Sequence, residues 1–168
     1  EIPDQKEKTI YQSVPSKTNV ELYMGNTLPF TLDDPSYLPF QFGLAVLGKW
    51  GGFSGRLMST VREKEGLTYT IYARTEGITK TTRGMWYIFT FFTPKDLKCG
   101  LASTKREIAQ IVKIGVTEKE LRSFKELLKH QFILAHESDR KILAFYHDAL
   151  RTGLDTQEIA QQYAALET

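Results

Sequence analysis

Arg62 and Tyr69 are the two side chains in this sequence whose types and spacing suggest chemistry. A guanidinium carries five N–H donors in a planar fork and a phenol carries one O–H, so the two held together could donate to carbonyl or carboxylate oxygens. The residues between them say how they would be brought together. Leu57, Met58 and Val61 fall on one side of an amphipathic helix, Gly66 offers the left-handed stop that helices favour, and residues 67–73 read as a strand. Helix, stop and strand place Arg62 in the last helical turn and Tyr69 at the start of the strand, at one end of the unit. Local chemistry by itself favours a plainer reading, an Arg satisfied at a helix C-terminus and a Tyr in a half-buried strand.

Other chemistries find less. Neither a G-x-S-x-G elbow nor a reactive-cysteine motif is present, and Gly52-Phe53-Ser54-Gly55 lacks the elbow's spacing. The glycines between Gly48 and Gly55 precede a helix and could cradle an anion, but the Lys-Ser/Thr of a phosphate loop is missing, and close helix packing explains them as well. The carboxylate pairs Glu118/Glu120, Glu63/Glu65 and Asp33/Asp34 read as helix caps or solvated faces.

The 168 residues are enough for one domain with a sizeable core, and 41% hydrophobic with 25% charged residues is the composition of a soluble globular protein. No stretch approaches the roughly 20 apolar residues that a spanning helix needs. A net charge of +2, from 22 basic and 20 acidic residues well mixed along the chain, gives no case for nucleic acid or an anionic membrane. The single cysteine, Cys99, excludes an internal disulfide and any cysteine-rich metal site, and leaves the compartment open. Glu1 in place of a methionine suggests processing or a fragment of something longer, with any signal peptide already gone.

The elements that must position Arg62 and Tyr69 follow from periodicity. Residues 1–16 are polar, with Pro3 and Pro15, and read as an arm or linker ahead of a single domain over residues 17–168. Residues 18–25 alternate, Val20, Leu22 and Met24 against Asn19, Glu21 and Tyr23, as in a half-buried strand. Asp33-Asp34-Pro35 starts a helix that runs to Gly48. Residues 68–75 and 85–92 are two further strands, the second apolar on both faces and therefore inside the sheet. Its aromatic residues could instead stack nucleobases, but the flanking basic density is low. Helices then run from about Leu97 to Gly115, from a Thr117/Glu120 capping box to about Ala135, from Asp139 to Arg151 before Gly153, and from an Asp155/Glu158 cap to Leu166. The fold expected is α+β, a mainly antiparallel sheet with helices packed on one face.

The run G-G-F-S-G-R-L, followed by R-E-K-E-G-L-T-Y, resembles the corresponding stretch of the pitrilysin/insulinase family of zinc metallopeptidases, in the half that does not carry the metal. Weaker agreement extends from about Lys17 to Thr168, and Gly55 stands where the family more often has Ser. The resemblance implies a LuxS/pitrilysin-like metalloenzyme fold and gives Arg62 and Tyr69 a role, holding the substrate backbone near the scissile bond. It implies zinc in a partner domain or subunit and none in this chain, because the family's H-x-x-E-H motif is absent. His130, His136 and His147 do not pair with that spacing, and read as surface or boundary residues. By the same resemblance the function is that of the substrate-binding half of a zinc endopeptidase, inactive alone, with a zinc-bearing domain and a peptide substrate as partners. The alternative is a non-catalytic scaffold subunit of the same fold, as in the core proteins of respiratory complexes. The family pattern continues past Tyr163-Ala164-Ala165-Leu166 into another helix and strand, so the chain is expected to lack that strand and to self-associate through an open sheet edge or the Arg62/Tyr69 face.

Overall fold

The computed structural model describes residues 14–48 and 55–155, with residues 157, 158, 161 and 164. Three strands form an antiparallel sheet, β1 (Val20–Thr27), β2 (Ile71–Glu76) and β3 (Met85–Phe92), in the spatial order β1-β3-β2. The helices are α1 (Tyr37–Gly48), a wide π-helix (Met58–Lys64), α2 (Leu97–Ile114), α3 (Glu118–Ala135) and α4 (Asp139–Thr152). The α+β expectation holds, as does the interior place of the strand that is apolar on both faces, since β3 is paired on both sides.

Side-chain alternation divides β3 between two environments. Ile88, Thr90 and Phe92 are buried under the helices, where Ile88 and Phe92 join Leu44 and Leu47 of α1, Leu57, Met58 and Val61 of the π-helical segment, and Ile71 and Ala73 of β2 in one core. Burying each of these larger side chains is worth about 1.5–3 kcal/mol. On the opposite face Tyr23, Phe89 and Tyr72 lie in one register row across all three strands, with ring centroids 4.9 and 5.3 Å apart. Arg74 stands 5.7 Å from the centre of the Tyr87 ring in the next row.

The helix boundaries obey local chemistry. Thr117 accepts from the Glu120 N–H while the Glu120 carboxylate accepts from the Thr117 N–H, completing the capping box that starts α3. Gly115 and Gly153 end α2 and α4. The first strand begins two residues later than its alternation suggests, because its ladder with β3 runs from Val20↔Phe92 to Thr27↔Met85. The arm at residues 1–13, the central glycines at 49–54 and most of the last expected helix lie outside the described residues.

Candidate functional site

The segment from Arg56 to Tyr69 is built from a helix that is wider than its amphipathic pattern predicts. Glu65 N–H reaches back five residues to the Thr60 carbonyl and Leu67 N–H reaches six to Val61, both at 3.0 Å, where an α-helix would close at four. Leu57, Met58 and Val61 still share the buried side, as their spacing requires. Gly66, at φ +64°, turns the chain out of the helix while its N–H bonds the Arg62 carbonyl at 3.0 Å. At the other end Gly48 (φ +149°) and Gly55 (φ +137°) pass so closely that a Cβ on Gly55 would lie 2.7 Å from the Gly48 Cα. Two backbones approaching this closely need glycine on grounds of packing alone.

The second strand starts later than expected, at Ile71, so Tyr69 lies in the connection ahead of it and not at its first residue. Side-chain hydrogen bonds explain the delay. Thr68 Oγ1 donates to the Phe91 carbonyl at 2.7 Å and Thr90 Oγ1 to the Thr70 carbonyl at 2.9 Å, displacing the ladder at these positions.

This arrangement brings the two sequence-predicted residues together. The Arg62 guanidinium carbon lies 4.7 Å from the centre of the Tyr69 ring, within cation–π range. Arg62 is half-buried and its Nη1 sits 3.4 Å from the Met58 sulfur, a soft acceptor, whereas Tyr69 is 73% exposed. A half-buried strand Tyr is therefore not what the structure holds. The phenol hydroxyl stands on a ring open to solvent, and the guanidinium lies over the face of that ring.

Two ion pairs fasten the segment to the helical layer. Arg56 Nε and Nη2 donate to the two oxygens of Glu120 at 2.7 and 2.8 Å, and Nη2 also to the Gly115 carbonyl at 2.8 Å. Bidentate pairing with Arg56, helped by the Thr117 backbone and hydroxyl, holds the Glu120 carboxyl down at about 2. At the far end Glu65 meets Arg106 of α2 at 2.5 Å, and the Ser103 hydroxyl, then Arg106, hold its carboxyl below the ordinary range. Glu65 and Glu120, read from sequence as caps or solvated faces, are thus also tertiary anchors. Arg56, Ser103 and Arg106 were not legible as partners, because 64 residues separate Arg56 from Glu120 and 41 separate Glu65 from Arg106.

The histidines stay apart from this site. His130 and His147 are exposed, and His136 caps the C-terminus of α3, its ring tilted against Phe132 and Phe145 at 4.3 and 4.9 Å with Nδ1 2.8 Å from the Phe132 carbonyl. Among the described residues no three His, Cys, Asp or Glu side chains gather as a metal would require. Nor is any helix of the described residues long and apolar enough to cross a membrane.

Comparison with known proteins bears on the family and the fold. Residues 1–128 match the family model described as the peptidase M16 inactive domain. No curated protein sequence matches the chain. Among solved structures, a peptidase M16 inactive domain from Pseudomonas fluorescens is 27% identical with a TM-score of 0.75, over 89% of this chain and 35% of that one. A protease from Helicobacter pylori (19% identical, TM-score 0.70, 89% and 36% covered) and the periplasmic protease PqqL from Escherichia coli (13%, 0.69, 89% and 16%) share the fold. The chain therefore spans about a third of the length of the first two and less of the last. On the family match, with the structural likeness beside it, this chain belongs to the peptidase M16, or pitrilysin, family and represents its inactive domain.

Proposed function

We propose that this chain is the metal-free, substrate-binding half of a zinc-dependent endopeptidase, in which Arg62 and Tyr69 hold the substrate backbone while a partner domain, in the same protein or a second subunit, supplies the zinc. The observation that carries this reading is the exposed Tyr69 ring with the Arg62 guanidinium against it. An exposed aromatic ring gains little stability from its position, so burial does not account for it. The pair offers a planar cation and a neutral donor from one place, a set suited to peptide carbonyls whose oxygens gain negative charge during hydrolysis.

In this reading the two halves divide the labour. Zinc in the partner would activate water for attack on the peptide carbonyl. The residues of this chain would bind and orient the peptide and place donors where oxygen charge develops. Turnover of a peptide by the complete enzyme tests the reading, because Arg62→Ala and Tyr69→Phe should each lower it on the order of 100-fold with metal content unchanged. Unaltered kinetics in both variants would favour the scaffold alternative.

A further inference from the structure

We propose that Arg106 is a positioning residue for the Arg62/Tyr69 pair, acting through Glu65. The inference rests on the substrate-holding role just assigned to the pair, but its geometry stands independently. Between Arg62 and Tyr69 the chain makes an arch, and among the described residues two of its side chains make polar contacts to other elements. Thr68 donates to the Phe91 carbonyl of β3 and meets Thr90, which secures the arch beside Tyr69. Glu65, three residues after Arg62, is held 2.5 Å from Arg106 Nη2 on α2.

Arg106 is itself oriented by two side chains of its own helix. Its Nη2 also donates to Ser103 Oγ at 2.9 Å, and its Nε lies 3.4 Å from the buried Glu107 carboxylate, so the guanidinium plane is set by α2 before it meets Glu65. A planar fork held in this way fixes direction as well as distance. Glu65 is also the residue whose N–H closes the five-residue turn onto Thr60, so its location sets where the wide helix ends. Among the described residues, Arg62, one turn earlier, has only the Met58 sulfur and the Tyr69 face to orient its guanidinium. Without Arg106, Glu65 keeps the Ser103 hydroxyl and the backbone bonds of Glu65, Gly66 and Leu67, but loses the fork that sets its direction, and the Arg62 guanidinium shifts from its place over the ring.

The test reads that geometry directly. Protons of the Arg62 side chain above the Tyr69 ring are shifted upfield by its ring current, and Tyr69→Leu sets the zero. In NMR spectra of the chain, Arg106→Ala and Glu65→Gln should each remove about half or more of this shift, and Arg106→Lys should restore part of it, since the ammonium keeps the charge without the fork. In the complete enzyme Arg106→Ala should lower kcat about 10-fold with little change in KM. Should Arg106→Ala fail to fold, the near-isosteric Glu65→Gln carries the measurement alone. An upfield shift retained in full in Glu65→Gln and in any folded Arg106→Ala protein overturns the proposal, whatever happens to thermal stability. Failure of the substrate-holding reading is distinguishable, because there Arg62→Ala leaves turnover unchanged while the ring-current shift still reports on the clamp.

Discussion

The guanidinium of Arg62 lies 4.7 Å from the centre of the Tyr69 ring, although the sequence between them leaves a helix, turns at a glycine and passes a threonine anchored to the central strand. The contact is a product of backbone geometry, and each step of that geometry can be perturbed separately.

Gly66→Ala should cost about 1 kcal/mol, because φ is +64° but nothing beyond the neighbouring residues of the chain lies within 4 Å of the added Cβ, leaving only the backbone penalty. Gly100→Ala should cost more, about 2–3 kcal/mol, since its Cβ would sit 2.3 Å from the Phe92 ring in the core. Urea unfolding of the two variants orders these costs. A larger penalty at Gly66 than at Gly100 would contradict the packing described.

The Arg56–Glu120 pair predicts an acid-sensitive component of stability. Glu120 has its carboxyl lowered from 4.5 to about 2 in the folded chain, so its contribution is complete above 4.5 and is lost as pH falls toward 2. Partial exposure of the pair reduces the effect to about 1–2 kcal/mol. Denaturant titrations of the parent and Glu120→Gln proteins should therefore differ by about that amount at pH ~6 and converge only below pH ~2. Parallel curves over the whole range would show that the pair does not contribute in this way.

Metal content provides a third check. The purified chain should hold no stoichiometric zinc and cleave no peptide, given its histidine spacing and the absence of a three-ligand group among the described residues. One zinc per chain by elemental analysis, with peptidase activity lost to a chelator, would overturn the assignment of the metal to a partner.

The two outer strands motivate a fourth. β1 and β2 are each paired on one side only among the described residues, and an unpaired strand edge recruits other strands. Concentration-dependent self-association is expected, and light scattering that reports a strict monomer across a wide concentration range would count against it.

Much of this architecture was legible because its causes are local. The residue pattern of β3 places a strand between two others, and Thr117 with Glu120 announces a helix start whose two hydrogen bonds are both present. The proximity of Arg62 and Tyr69 was also legible, since Gly66 has few other uses between a helix and a strand. What stayed hidden depends on partners distant in sequence or on alternatives of nearly equal local cost. The burial of Leu57, Met58 and Val61 is compatible with a π-helix as well as an α-helix, so periodicity did not separate them. The late start of β2 depends on Thr68 and Thr90 hydroxyls that replace ladder bonds, and the anchors at Arg56 and Arg106 depend on helices folded from later sequence.

In the proposed function Tyr69 donates to the substrate backbone, and a double-mutant cycle across that bond measures the donation itself. In the complete enzyme, turnover is measured for the parent and Tyr69→Phe proteins, each on a peptide and on its analogue with a thioamide beside the scissile bond, sulfur being the weaker acceptor. If the hydroxyl meets that oxygen, the two changes remove the same interaction, and their effects should fall short of additivity by about 1 kcal/mol. Full additivity at the thioamide positions on both sides of the scissile bond would contradict the account.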